Sequence, residues 1–243
     1  MQISFKIIEL QIMTGITKEP KISVGILSAE QINFELHGDF KASGSKINFS
    51  GIFTAVLEDE KIICKSDSGQ NEFSKEIIFE PQDIKNESFL LKDVVIGENF
   101  HWERREKERF TGSLKLIKDK GKITAINIIP VERYLLSVIS SEMSARSQLQ
   151  LLKAHSIVSR SWLLAQMEKA KSLKKEKTNY QTSQNKADEY IKWYGREDHE
   201  LFDVCADDHC QRYHGTTRVF TEVARQAVKQ TTGIVLVSNN KMS

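Results

Sequence analysis

Glu142, Lys153 and Arg160, an acid followed by two cations near the middle of the 243-residue chain, have types and spacing that could do chemistry. Val131, Leu135, Val138 and Ile139 recur as one face of a 3.6-residue helix, and Glu142 is the next position on it. Its carboxyl is therefore expected on the buried side of a helix end. Desolvation there favours the neutral acid and raises the pKa, as general acid catalysis requires. Lys153 and Arg160 are seven residues apart, which returns to nearly the same helix face roughly 10 Å along the axis. They are expected to look out together from one side of that helix. The plainer reading is a solvated helix end followed by an ordinary charged face.

A second group lies far downstream. His199, Cys205, His209 and Cys210 are soft or borderline metal donors in the run DHELFDVCADDHCQRYHG. Four such donors would close a tetrahedral zinc site, which makes it structural rather than catalytic. The spacing is not that of a zinc finger. His209 and Cys210 are neighbours, whose side chains diverge in a strand, so both reach one ion only if the backbone turns between them. A short-loop disulfide between Cys205 and Cys210, or two reduced thiols, remains open on these residues alone. Asp203, Asp207 and Asp208 flank the group and read as its outer support or as loop solvation.

The elements that must position these residues follow from periodicity. Pro130 and Glu132 suit the first turn of a helix ending near Met143. After SARSQ, a second helix is expected from about Gln148 to Met167, with Leu151, Ala154, Val158, Trp162 and Ala165 as its core stripe. A flexible, lysine-rich insert is expected over about 168–190. Its Lys169, Lys171, Lys174, Lys175 and Lys177 would touch an anionic polymer or simply be solvated. Val219, Val223, Ala227 and Val228 mark a last helix, Gly233 its stop, and GIVLV a strand.

Upstream, short Ile-, Val- and Phe-rich runs between residues 22 and 129 alternate with polar residues and are broken by Gly, Asp, Ser and Lys. The fold class is α+β: a β-rich region over 1–127, then a mixed helical and strand domain over 128–243. The first twenty residues are expected to be an edge strand or a loose lead-in. The charged run around Trp102 and Phe110 reads as a hairpin with solvated charges, or as an aromatic patch for sugar rings. Cys64 reads as a buried small hydrophobe.

Composition narrows the function classes. Thirty-five basic and thirty-three acidic side chains nearly cancel, so no global field argues for nucleic acid. No stretch approaches the roughly 20 apolar residues of a membrane span. MQISFKIIELQIMTG lacks the charged start and unbroken apolar core of a secretory signal.

The runs VERYLLSVISSEM, LLKAHSIVSRSW, DVCADDHCQRYHG and TTGIVL, in this order, resemble the SpoIID/LytB family of cell-wall proteins, whose sporulation members are lytic transglycosylases. The resemblance spans roughly 128–236 apart from the insert. It implies peptidoglycan as substrate and cleavage of the MurNAc–GlcNAc bond to leave 1,6-anhydroMurNAc ends. Glu142, in the S-E-M block, would be the single general acid and base. Lys153 and Arg160 would contact carboxylates of the wall, and Gln211 and Tyr213 of the C-Q-x-Y-x-G run would line the glycan groove.

A metal-binding Cys/His cluster in some members favours zinc at His199, Cys205, His209 and Cys210, with no organic cofactor. The alternative function is a non-catalytic, peptidoglycan-binding enhancer of a cell-wall amidase; a plainer one is a metal-stabilised wall-binding module. Such a substrate implies an extracytoplasmic place in the cell envelope, hence a leader outside this sequence or an unusual route. Members generally continue into a glycine-rich segment after the GIVLV strand, so the domain is expected to be C-terminally incomplete.

Overall fold

The computed structural model describes residues 6–9, 19–45, 47–97, 101–144, 147–176, 183–186, 189–192, 199–217, 221–238 and 241–242. In chain order the strands are β1 (Lys6–Glu9), β2 (Lys21–Ala29), β3 (Gln31–Ala42), β4 (Asn48–Glu58), β5 (Lys61–Ser66), β6 (Gly69–Phe73), β7 (Glu76–Pro81), β8 (Ser88–Ile96), β9 (Arg104–Phe110), β10 (Ser113–Asp119) and β11 (Lys122–Pro130). Three helices follow, α1 (Val131–Glu142), α2 (Leu149–Glu176) and α3 (Glu222–Gln230). Between and after them lie β12 (Ser183–Lys186), β13 (Glu189–Lys192), β14 (Val204–Cys205), β15 (Ile234–Ser238) and β16 (Lys241–Met242). The class is α+β, as the sequence implies.

Eleven strands form one sheet in the order β14-β2-β11-β10-β7-β3-β4-β5-β6, with β8 and β9 branching from β3. Alternation explains most of it. In β3, Ile32, Phe34, Leu36, Phe40 and Ala42 point inward while their neighbours face water. Phe34 stacks on Phe53 with ring centroids 5.3 Å apart, and Phe49 meets Phe79 edge-on at 5.4 Å. Cys64 is fully buried in this core, which pushes its thiol up to about 12. β11 is different: Ile123 to Asn127 are buried without a break, because this strand is covered on both faces.

The sheet does not respect the boundary expected at 127/128, which falls inside β11. β2, from the N-terminal region, pairs with both β11 and β14. β1 pairs antiparallel with β15 near the other end of the chain, which makes it an edge strand. Domain and N-terminal region are therefore joined by strand pairing.

Two further expectations change. Helix α2 continues past Met167 to Glu176, and β12 pairs with β13 as a hairpin, so structure occupies much of the span expected to be a flexible insert. Of its lysines, Lys169 is exposed, while Lys177 lies outside the described residues. The core stripe of α2 is also not the one expected. Leu151 and Val158 are each 52% exposed, and the buried face carries Leu152, Ser156, Arg160, Leu163, Leu164 and Met167. Small hydroxyls make that face packable: Ser156 Oγ donates to Leu152 O at 2.7 Å and Ser161 Oγ to Ile157 O at 2.6 Å. A face rich in Ser and Arg escapes a search for apolar periodicity. Among the described residues no helix is long and apolar enough to cross a membrane.

Candidate active site and metal centre

Glu142 stands at the C-terminal end of α1, where Met143 turns into extended backbone. Its side chain is 27% exposed, so it is not on the buried side. The apolar face of α1 ends at Ile139, and the acid overhangs the last turn beyond its packing neighbours. The carboxylate is nonetheless held on both oxygens. Oε1 accepts the backbone N–H of Arg212 at 3.1 Å, and Oε2 lies 3.0 Å from His155 Nε2. Two of its roughly four acceptor positions are thus filled and the rest can meet a substrate. His155, on α2, is half-buried, and its partnership with Glu142 has no sequence signal beyond its place between Lys153 and Arg160.

The two cations separate. Lys153 is half-exposed and makes no ion pair with a described residue. Arg160 is completely buried, so it does not look outward as expected. Its Nε and Nη2 donate to Glu132 at 2.8 and 2.6 Å, and its Nη1 donates to Ile234 O at 3.1 Å. Glu132 also accepts from Gly233 N at 3.3 Å. This pair locks α1, α2 and the start of β15 together, and it keeps the guanidinium on Glu132. Removing one partner of such a buried pair leaves an uncompensated charge, at a cost of about 3–5 kcal/mol. Arg160→Ala is therefore expected to lower the unfolding free energy in urea by that amount; an unchanged midpoint would return Arg160 to the groove.

Gln211 and Tyr213 are also placed inward. Gln211 Oε1 accepts from Tyr134 OH at 3.2 Å, and Tyr213 OH donates to Asn127 Oδ1 at 2.6 Å. Tyr213 is 1% exposed and stacks on Tyr134 with centroids 5.0 Å apart. Burial raises the pKa of both phenols. These residues anchor the run to β11 and α1, where a groove surface was expected. Gly215 closes it at φ +55, with a hypothetical Cβ only 2.2 Å from Arg109 O. Only glycine fits this left-handed, close-packed position.

Two residues apart on this run, Arg212 holds Glu142 and His214 holds Glu108, whose Oε1 lies 2.5 Å from His214 Nδ1. Glu108 and His214 come from β9 and the C-Q-x-Y-x-G run, 106 positions apart, so spacing could not pair them. They help line a cavity of about 1140 Å³, together with Trp102, Ser140, Ser141 and Arg212.

The Cys/His group converges. One ligand atom from each of His199, Cys205, His209 and Cys210 lies within 4.8 Å of all the others. Cys210 Sγ is 3.3 Å from His199 Nε2 and 3.6 Å from His209 Nδ1, and Cys205 Sγ is 3.9 Å from His209 Nδ1. Zinc bonds of about 2.0–2.3 Å at tetrahedral angles would put donors about 3.3–3.8 Å apart, so this set fits the ion. The required turn is present, since Cys210 N–H donates to Asp207 O at 3.1 Å. The cysteines are free rather than joined. Hydrogen bonding from Cys210, then from His199 and the Asp207 backbone, pulls the Cys205 thiol down to about 3, the thiolate form a metal needs.

The three aspartates have other tasks. Asp203 Oδ2 accepts from Ser23 N and Oγ at 2.9 and 2.6 Å, tying the segment to β2. Asp207 Oδ1 accepts Asp208 N–H at 2.9 Å. Asp208 takes a forked pair from Arg212 at 2.8 and 3.0 Å, which holds its carboxyl below the usual range.

Against known proteins, residues 119–237 match the family described as SpoIID, stage II sporulation protein. No curated protein and no solved structure gives a significant match.

Proposed function

We propose, from the match of residues 119–237 to the SpoIID family, that this chain acts on the cell wall as a peptidoglycan lytic transglycosylase with Glu142 as its one acid and base. The observation that carries the reading is the Glu142 carboxylate, reachable from solvent yet fixed by His155 and the Arg212 N–H. Glu142 protonates the glycosidic oxygen as the bond from the muramic C1 breaks. The muramic C6 hydroxyl attacks C1 and gives its proton to the Glu142 carboxylate. One C–O bond is exchanged for another, no water is consumed, and the acid is restored. Hydrolysis would call for a second carboxylate; Asp203 is committed to Ser23 of β2, Asp207 and Asp208 within their loop, and Glu108 to His214.

Lys153 is the cation suited to wall carboxylates, since Arg160 is taken up by Glu132. His199, Cys205, His209 and Cys210 would hold zinc as a closed structural centre. Zinc there would contribute cross-linking, not Lewis-acid chemistry. The loop it would brace runs directly into Arg212, whose N–H orients Glu142. A wall substrate places this chemistry outside the cytoplasm.

Mass spectrometry of peptidoglycan digested with the purified chain tests the reading. The expected products end in 1,6-anhydroMurNAc. Reducing ends alone would mean a hydrolase, and no products with acceleration of a cell-wall amidase would mean an enhancer.

A further inference from the structure

A general acid must hold a proton before it meets its substrate, and a cation beside it favours the ionised carboxylate instead. Among the described residues, Arg212 and His155 are the basic groups that hold Glu142. Arg212 does so through its backbone N–H, while its guanidinium is forked onto Asp208 at 2.8 and 3.0 Å. Its charge is therefore met by another carboxylate. His155 has no counter-charge besides Glu142 itself, so the place of its proton determines what Glu142 meets.

The surroundings of the ring distinguish its two nitrogens. Nε2 lies 3.0 Å from Glu142 Oε2, whereas Nδ1 is buried with no hydrogen-bond partner among the described residues. The helix neighbours of His155 at i−4 and i+3 are Leu151 and Val158, whose side chains bring only carbon. A proton on Nδ1 would be a buried N–H without an acceptor, the rarer kind of orphan, whereas a bare lone pair is left unpaired more readily. Imidazolium carries that proton, and so does the Nδ1–H tautomer. Only the neutral Nε2–H tautomer avoids it, and only that form donates to Oε2 without adding charge.

Resting on the lytic reading above, we infer that His155 is a positioning residue that serves Glu142 as a neutral Nε2–H donor and so leaves the transferable proton on the carboxyl group. With Oε1 taking the Arg212 N–H and Oε2 the His155 N–H, each oxygen keeps one acceptor position. A proton taken up by the carboxyl group occupies one of these, and the side chain is 27% exposed, so a glycosidic oxygen can reach it.

The opposite tautomer would work against the reaction. A bare Nε2 would accept from protonated Glu142 and hold the proton away from the glycosidic oxygen. As an Nε2–H donor, His155 keeps its own proton throughout: the carboxyl proton goes to the leaving oxygen, and the C6 hydroxyl proton returns to the carboxylate. The same hydrogen bond steadies that carboxylate between the two transfers, so it serves both halves of the cycle.

Long-range proton–nitrogen NMR of the full chain with isotope-labelled histidine, near neutral pH, locates the proton; the His155 signals are those missing from His155→Gln. The expected spectrum has a proton on Nε2 and none on Nδ1, and a proton on Nδ1, alone or together with one on Nε2, overturns the assignment. Kinetics on peptidoglycan give a second readout. His155→Leu should lower kcat about tenfold or more with KM little changed, and the conservative His155→Gln, which keeps a neutral N–H near the Nε2 position, should recover most of that loss. No loss in His155→Leu, or an equal loss in His155→Gln, would remove the role. If His155→Leu fails to fold, the spectrum and a kcat for His155→Gln close to that of the wild type decide. Failure of the lytic reading looks different: wild-type protein releases no anhydro products while the spectrum still places the proton on Nε2.

Discussion

If the chain is a lytic transglycosylase, Glu142→Gln is expected to lower the initial rate of anhydromuropeptide release by about 10²–10⁴-fold, the share that a positioned acid–base group supplies. The substitution is nearly isosteric. Gln keeps a carbonyl oxygen to accept the Arg212 N–H, so the alignment of α1 with the 210–215 run survives while the transferable proton is lost. Because Glu142 is partly exposed and lies beyond the packed face of α1, the thermal midpoint should hardly move. Initial rates from chromatography of a sacculus digest, beside a melting curve, separate the two effects. A variant that turns over at the wild-type rate would place the acid elsewhere.

Loss of metal should have a stability effect as large as that of breaking the Arg160–Glu132 pair. The purified chain is expected to carry one zinc, and Cys205→Ser to carry almost none. Zinc at about a thousand times its dissociation constant contributes about 4 kcal/mol. In a chain of this size that corresponds to about 8–16 °C in Tm. Chelation should therefore lower the wild-type midpoint by that amount and leave Cys205→Ser unmoved, and unchanged zinc content in Cys205→Ser would remove the site. The direction with pH follows from the thiol. In the metal-free protein Cys205 falls from 9.0 to about 3 on folding. Its contribution is complete above pH 9 and drains away as the pH falls toward 3. Protons compete with zinc for the same sulfur, so acid should also release the metal.

Short-range features were readable in the sequence. Most strands of the large sheet announce themselves through alternation, and α1 through Pro130 and its apolar face, because burial on one side imposes a period. The last helix appears through Val223, Ala227 and Val228, with Gly233 after it, while Val219 lies outside the described residues; its cap came from the structure, where the Thr221 side chain accepts Ala224 N–H at 3.1 Å. β9 is harder, since RREKERF looks like a solvated run. It is an edge strand, and its charge suits that place, yet Glu108 within it is buried. The misread stripe of α2 has a similar cause: Arg160 is polar by type but apolar by position, made so by Glu132 across the interface.

The sequence by itself determined the fold class, the ordered motif blocks, Glu142 as the acid to examine, and a donor set of the right chemistry for zinc. Each depends on residue type, local period or spacing, which the chain carries along its length. Tertiary structure decided which groups meet. It drew His199, Cys205, His209 and Cys210 within 4.8 Å, set His155 against Glu142, turned Gln211 and Tyr213 inward, gave Arg160 to Glu132, and closed Glu108 onto His214. Those pairings span up to 106 positions, and a side chain's partner at such range is fixed by packing and the pairing of distant strands.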